Sequence, residues 1–162
     1  MKRNYPFIII TALAIIMTLV FVYLFTYQSA INTVRSAVLI EKAYPKIKPE
    51  EYINQLKIEA QKNKLQLTEI RKEKNIYLIQ ILNPELLDKL LAAPSVAVLS
   101  IINIAVYDIG DGTAVVGNNP YLWDIISPSN YIDDLAESYS DRLSEIFDNV
   151  YWEIKKKKKI LK

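Results

Sequence analysis

The chain contains 162 residues with a formal net charge of +2, and it has neither cysteine nor histidine. This composition excludes disulfides, thiol chemistry, zinc sites of the Cys/His type and acid–base catalysis by imidazole. We therefore expect a non-catalytic protein without a metal or another cofactor.

The positive charge is concentrated at the two ends of the chain. Lys155 to Lys159 and Lys162 lie at one end, and Lys2 and Arg3 lie at the other. Without these eight residues the chain keeps 12 basic and 18 acidic side chains, a net charge of −6. Because nucleic-acid-binding domains spread their basic residues over one face, this distribution argues against nucleic acid as a partner.

An uninterrupted apolar segment near the N-terminus predicts a transmembrane helix. No charged side chain occurs between Asn4 and Val34, and residues 7–26 are almost wholly apolar. A bilayer core about 30 Å thick requires roughly 20 apolar residues of helix. We therefore assign residues 1–28 to a membrane anchor. Its candidate anchoring residues are Phe7, Ile8, Ile15, Leu19, Phe21, Leu24 and Phe25.

A cleaved signal peptide is the main alternative to an anchor. Signal peptides have an apolar region of about 7–15 residues and a small-x-small cleavage site. The segment here is longer, and Gln28-Ser29-Ala30 matches such a site poorly. A buried core helix is disfavoured because the segment is apolar on all sides. An uncleaved anchor is therefore the favoured interpretation.

The flanking charges predict the orientation. Lys2 and Arg3 precede the anchor, whereas the first positive residue after it is Arg35. Positive charge beside a membrane span favours the cytoplasmic side. We therefore expect a single-pass protein of the cell membrane, with its N-terminus in the cytoplasm and its domain outside.

Residues 29–36 are predicted as a polar linker, and residues 37–126 as an α+β domain. Pro49 suits the first position of a helix, and Asn83-Pro84 combines an N-cap with a first-turn proline. Alternation of apolar and polar residues indicates strands. The predicted order is strand 37–44, helix 49–63, strand 65–70, strand 76–82, a helix from 84 to before Pro94, strand 96–107 and strand 113–116.

This order predicts a two-layer α+β sandwich, with a mostly antiparallel sheet and helices on one face. The strand at 96–107 is expected to bend near Ser100. Asp108 and Asp111 lie in the hairpin that follows, and they lack the alternating ligands and terminal Glu of a calcium-binding EF-hand loop. A plain turn is therefore favoured over a metal site.

Residues 127–162 predict a long C-terminal helix with a basic tail, capped by Ser127 or Ser129. From about residue 129 to 159 it would extend about 46 Å, more than the small domain is wide. We expect its second half to expose an apolar, basic stripe to a partner or to anionic lipid. This predicted surface comprises Phe147, Val150, Tyr151, Trp152, Ile154, Lys155, Lys156, Lys157, Lys158 and Lys159. Deleting residues 151–162 is then expected to leave the fold nearly intact.

Residues 76–121 resemble the family called domain of unknown function 302. The resemblance lies in Asn83-Pro84, the helix with Leu86-Leu87 and Leu90-Leu91, Pro94, the strand end Ala105-Val106-Tyr107-Asp108, the turn Gly110-Asp111-Gly112-Thr113, and Asn119-Pro120. Many members carry Cys where this chain has Leu82 and Ile101-Ile102, and a His that it lacks. The resemblance implies an α+β fold, often dimeric, and no established activity.

The leading hypothesis is a non-catalytic, single-pass membrane protein. Its exported domain would serve as an accessory or assembly subunit of a larger membrane complex, with a respiratory complex as the suggested context. The expected partners are the lipid bilayer and either other integral membrane subunits or a second copy of the chain. The alternative is a stand-alone, membrane-tethered ligand-binding or sensor module. A hydrolase is disfavoured because Ser100 and Ser127 have no base placed by a motif.

Overall fold

The computed structural model describes residues 5–91 and 93–160, so that Lys2, Arg3 and Lys162 of the charge argument lie outside the described residues. The chain divides into two compact units, one ending at Arg35 and the other beginning at Ser36. The elements are α1 (Tyr5–Val38), β1 (Leu39–Pro45), α2 (Pro49–Lys62), β2 (Gln66–Glu73), β3 (Ile76–Leu82), α3 (Pro84–Leu90), α4 (Pro94–Ala97), β4 (Ile102–Asp108), β5 (Gly112–Asn118), α5 (Leu122–Ile126) and α6 (Asn130–Ile160).

The first unit is a single apolar helix. α1 has 34 residues, none of them buried, and it is long and apolar enough to cross a membrane. Its length of about 51 Å exceeds a bilayer core of about 30 Å. The predicted polar linker at 29–36 is a continuation of this helix, because no Gly or Pro occurs there to end it. The predicted strand at 37–44 consequently begins two residues later, at Leu39.

The second unit contains the predicted antiparallel sheet. Its strand order is β1-β5-β4-β3-β2, and every neighbouring pair is antiparallel. β4 is therefore the central strand, and β1 and β2 form the two edges. The α+β fold class is confirmed.

The core lies between one face of this sheet and the helices. Alternate strand residues point into it, among them Ile79, Ile104 and Val115, which are fully buried. α2 contacts β2, β4 and β5, and α6 contacts α2, α5 and β1. Trp123 of α5 is also fully buried.

Two turns agree with the sequence interpretation. The Asn83 side-chain oxygen accepts a hydrogen bond from the Leu86 backbone N–H at 3.3 Å, which confirms the N-cap of α3. The Asp108 carboxylate accepts one from the Gly110 N–H at 2.7 Å, and the left-handed φ of Gly110 (92°) suits a glycine in the β4–β5 hairpin.

The predicted strand at 96–107 is half wrong. Residues Pro94–Ala97 form the short helix α4, and the strand begins only at Ile102. An uncharged apolar run does not distinguish strand from helix by periodicity, and Pro94 at the first helical position favours the helix. Val96 is still fully buried, so the segment contributes to the core in a different conformation.

The expectation that the second half of α6 is uncovered is also wrong. Phe147, Val150 and Ile154 are buried. α2 packs antiparallel along this half, as the contacts Arg142 to Asn63 and Lys158 to Glu51 at its two ends show. α6 therefore has the predicted length, and α2 buries the apolar side chains of its second half.

Candidate interaction surface at the end of the last helix

The predicted surface is built on a column of aromatic rings between α2, β1 and α6. Tyr52 stacks on Tyr44 with 5.2 Å between ring centroids, and Tyr44 stacks on Tyr151 at 5.3 Å. Trp152 meets Tyr151 edge-on at 5.0 Å. The column runs from the fully buried Tyr52 to Trp152, which is 61% exposed. Tyr151 is thus a packing residue, and Trp152 is the outer end of the column.

Asp148 anchors this column to β1. Its carboxylate accepts hydrogen bonds from Tyr44 Oη at 2.9 Å and from Lys42 Nζ at 3.0 Å. Burial raises the pKa of Tyr44 far above its ordinary value, and Tyr52 and the bond to Asp148 raise it further. The Tyr44 hydroxyl therefore remains a donor at every physiological pH, and α6 is held to the sheet edge through it.

The lysine run makes contacts within the domain. Lys157 Nζ donates to Gln55 Oε1 at 2.7 Å, and Lys158 Nζ donates to Glu51 Oε2 at 2.7 Å. Lys156 pairs with Glu153 at 3.0 Å. Lys157 and Lys158 therefore bond the end of α6 to α2, and Lys156 forms an ion pair within α6. The sequence analysis did not predict these contacts.

The remaining lysines differ in exposure. The Lys155 ammonium lies 5.3 Å from the centre of the Tyr151 ring, in cation–π geometry. Lys159 is exposed near the end of the described helix. Trp152, Lys156 and Lys159 are exposed and follow one another at spacings of four and three residues, so that they share one face of α6; Lys157 and Lys158 are also exposed but are bonded to α2. We call Trp152, Lys156 and Lys159 the α6 tip.

The pairing of Glu51 is reflected in its pKa. Partial burial raises the pKa of Glu51, but hydrogen bonds from Lys158 and from the Lys48 backbone N–H outweigh burial and hold that pKa below its usual value. The Glu153 pKa is likewise lowered, chiefly by the hydrogen bond from Lys156. Both carboxylates are therefore charged at neutral pH and neutralise part of the lysine run.

An open cleft of about 430 Å³ lies beside this helix end. Charged side chains of both signs line it, including Lys46, Lys48, Glu50, Asp111 and Lys158. Small-molecule sites are usually concave and mainly apolar with a few convergent polar groups. The cleft does not have that character, and among the described residues no cluster of three or more acidic side chains is placed to hold a metal ion.

A second surface, which the sequence analysis did not identify, is the sheet face opposite the helices. Ile76 and Leu78 of β3 are 50% and 40% exposed there. Their neighbours on the central strands are apolar as well. Burial alternates along β3, with Tyr77, Ile79 and Ile81 at the buried positions, but the sequence IYLIQIL has Gln80 as its single polar residue and therefore gives little signal of the open face.

Comparison with known proteins bears on the fold. No family model matches the sequence, and no curated protein sequence is similar to it. The chain is similar to the crystal structure of an uncharacterized conserved protein DUF302 from Bacillus stearothermophilus, with a TM-score of 0.58 and 12% identity. The match covers 68% of this chain and 95% of that chain. At this identity the similarity concerns the fold, and the chain therefore contains an α+β domain with a DUF302-like fold.

Proposed function

We propose that this protein is a non-catalytic, single-pass membrane protein, and that its domain is exported and acts as an accessory or assembly subunit of a larger membrane complex. A respiratory complex is the context that we suggest for it. The contact surface proposed for the other subunits, or for anionic lipid beside them, is the α6 tip. Trp152 supplies an exposed aromatic anchor, and Lys156 and Lys159 supply positive charge at its rim.

The observation that carries this proposal is α1. A 34-residue helix without a single buried residue has no cover in the described protein, and its side chains from Phe7 to Phe25 are almost all large and apolar. Such a surface is stable in lipid, where the helix satisfies its own backbone hydrogen bonds. Membrane insertion therefore explains the apolar composition of α1.

Asn119 fixes the segment that precedes β1. Its side-chain amide donates to the Ser36 carbonyl at 2.9 Å, and its backbone N–H donates to the Val38 carbonyl at 2.7 Å. The Asn119 side-chain oxygen accepts a hydrogen bond from the Ser140 hydroxyl of α6 at 3.0 Å. These bonds hold Ser36 and Val38 within the second unit, and because both residues follow Gln28-Ser29-Ala30, the bonds do not distinguish an uncleaved anchor from a cleaved signal peptide.

Gentle detergent extraction followed by native mass spectrometry tests the function. The full-length protein should co-purify with unlike integral membrane subunits. A Trp152→Ala variant with Lys156 and Lys159 changed to Glu should lose them. Ile125→Ala is the matched control, because Ile125 is 62% exposed on α5 and lies outside the α6 tip. Recovery of this chain without any unlike subunit would contradict the proposal.

Orientation is tested separately with protease. Added to intact cells, protease should remove the domain while a tag placed before α1 survives. A domain protected in intact cells and cleaved only in inverted vesicles would place it in the cytoplasm and contradict the exported orientation.

A further inference from the structure

We propose that the domain has a lipid-contacting surface at the end of the sheet where β1 begins, and that this surface inserts into the headgroup layer of the membrane that α1 crosses. Its central residues are Leu91, Val98, Ile125 and Ile126, and we call these four residues the entry patch. The inference rests on the membrane anchor of the proposed function, to which it adds a second contact between the chain and the bilayer.

Strand pairing brings the segments of the entry patch to one end of the sheet. Leu39 at the start of β1 pairs with Asn118 at the end of β5. Ile81 near the end of β3 pairs with Ile102 at the start of β4. The segment between β3 and β4 and the segment after β5 therefore leave the sheet at the end where the chain enters the second unit, at Ser36.

Hydrogen bonds join these segments into one surface. Trp123 Nε1 of α5 donates to the Leu99 carbonyl at 3.2 Å, and Tyr131 Oη of α6 donates to the Lys89 carbonyl at 3.4 Å. α4 also contacts both α3 and α5. Because Trp123 and Val96 are fully buried beneath these turns, the surface is part of the packed domain.

The entry patch exposes large aliphatic side chains. Val98 is 79% exposed, and Leu91 and Ile125 are each 62% exposed. The Tyr131 ring, which is half exposed, lies beside them, and tyrosine is enriched at the headgroup level of membranes. Apolar side chains of this kind bind to a membrane by leaving water for the boundary between headgroups and acyl chains.

Charge distinguishes the two ends of the sheet. Residues 90–107 contain no charged side chain, and Asp124 is the only charged residue in 113–131. At the opposite end, where β1 stops and β5 starts, the charged cleft includes Lys46 and Asp111. Because moving a charge out of water is costly, only the end with the entry patch is suited to lipid.

The length of the uncharged part of α1 brings this end to the bilayer surface. No charged side chain occurs from Tyr5 to Val34. These roughly 30 residues extend about 45 Å as a helix, and a bilayer with its headgroup regions is about 40–45 Å thick. The chain therefore leaves the headgroup layer close to Ser36, and Asn119 after β5 is bonded to the Ser36 carbonyl.

The α6 tip lies at the other end of the sheet. α6 follows α5 and runs toward the end of β1, where Lys158 Nζ donates to the Lys46 carbonyl at 3.4 Å. With the entry patch on the bilayer, the α6 tip is turned away from it. Of the two occupants proposed for the α6 tip, the unlike subunits then remain.

Fluorescence quenching by lipid tests the entry patch in the full-length protein. The chain has no Cys, so Val98→Cys introduces a unique thiol for a bimane label. The labelled protein is reconstituted into vesicles of phosphatidylcholine and phosphatidylglycerol in which part of the lipid has a nitroxide near its headgroup. Ile109→Cys is the matched control, because Ile109 is 43% exposed in the hairpin at the opposite end. The label at position 98 should be quenched several-fold more than the label at position 109.

Acidic substitutions test whether apolar side chains make this contact. Leu91→Glu with Ile125→Glu, added to Val98→Cys, should lower the quenching at position 98 to the level of position 109. Ile70→Glu with Ile76→Glu is the control, because both residues are at least half exposed in β2 and β3, and it should leave the quenching unchanged. Quenching at position 98 should persist in concentrated salt, which screens electrostatic attraction to anionic lipid.

Three outcomes would overturn the inference. The first is equal quenching at positions 98 and 109, and the second is unchanged quenching at position 98 in the doubly acidic variant with the parent melting temperature. The third is protection of position 98 from aqueous iodide without quenching by the nitroxide lipid, which would show a protein contact. Vesicle flotation in alkaline carbonate reports on the anchor separately. Protein that floats without quenching at position 98 contradicts the entry patch alone, and protein that does not float contradicts the proposed function as well.

Discussion

The two long helices of this protein have almost the same length but differ completely in burial. α1 has 34 residues and α6 has 31, yet no residue of α1 is buried, whereas α6 contributes Ile132, Leu143, Phe147 and Val150 to the core. α1 is apolar on every side, and α6 has one apolar stripe between charged faces. Helix length alone therefore says nothing about the surroundings of a helix; the width of its apolar surface does.

The comparison also explains where the sequence interpretation of α6 failed. The apolar stripe of α6 is longer than the expected width of the domain, and its second half was therefore predicted to face a partner or anionic lipid. In the structure that partner is α2 of the same chain. The ion pair between Glu51 and Lys158 and the hydrogen bond from Tyr52 Oη to the Phe147 carbonyl at 3.1 Å fix the pairing.

The largest expected effect is on the end of α6. Because Ile154 is buried and Tyr151 stacks on Tyr44, deleting residues 151–162 should destabilise the domain, contrary to the expectation from the sequence, and so should changing Phe147 to Ala. For Phe147→Ala the expected loss is about 3–5 kcal/mol of the free energy of unfolding, because the ring is fully buried. Denaturant unfolding in detergent measures it. Trp152→Ala is the control, with an expected change within about 0.5 kcal/mol. Equal effects of the two substitutions would contradict the packing of α6.

A charge in the middle of α1 should act on the membrane and leave the domain unaffected. Leu19→Lys should disfavour insertion by about 2.5–3.5 kcal/mol, and carbonate extraction of membranes should release more protein than for Leu19→Ala. The melting temperature of the domain should not change. Unfolding of the domain by Leu19→Lys would show that α1 is a core helix, and the contrast with α6 would disappear.

The short helix α3 should depend on its N-cap more than the two long helices do. Substitutions of Asn83 test this expectation. Asn83→Ala removes the cap of the seven-residue α3 and should cost about 1 kcal/mol of stability, whereas Asn83→Ser should retain most of it. Thermal unfolding measures both. An effect on complex formation without an effect on stability would instead identify the Asn83-Pro84 corner as a binding site.

The smallest expected effect concerns pH and the pairing of α6 with α2. The Glu51 pKa lies below its usual value of 4.5 in the folded protein, so this carboxylate stabilises the fold above pH 4.5. The contribution is lost as the pH falls through the lowered pKa. The stability difference between the parent and Glu51→Gln should therefore be present at pH 7 and vanish in more acidic solution. A constant difference across this range would exclude an ionic role for Glu51.

Much of the fold could be predicted from local sequence patterns. The α+β class, the order of the predicted strands and the cap at Asn83 follow from alternation, proline positions and capping chemistry, and all three are confirmed. The helical conformation of residues 94–97 was missed because an apolar segment without charges has no decisive period. Whether Val96 belongs to a strand or a helix is decided by tertiary packing.

The candidate surface was harder to predict from the sequence than the fold, for a physical reason. Burial depends on what lies opposite a residue, and the sequence does not state which helix faces which. Phe147 and Leu78 illustrate this, because Phe147 was predicted on an exposed stripe and is buried, whereas Leu78 lies in an almost wholly apolar strand and is 40% exposed. Trp152 is exposed, as predicted for that surface, and its role at a partner stays a prediction.

Pairing of β1 with β5 has a consequence for synthesis. Leu39 pairs with Asn118, which follows it 79 residues later in the chain. At about 5–20 residues per second, roughly 4–16 s pass between synthesis of the two strands, and during that time β1 has no strand to pair with beside the inserting helix. The contacts of α6 form later still. We therefore expect the domain to fold slowly and only after its C-terminal half has emerged, so that a chaperone or a pre-assembled partner could reach the β1 edge first.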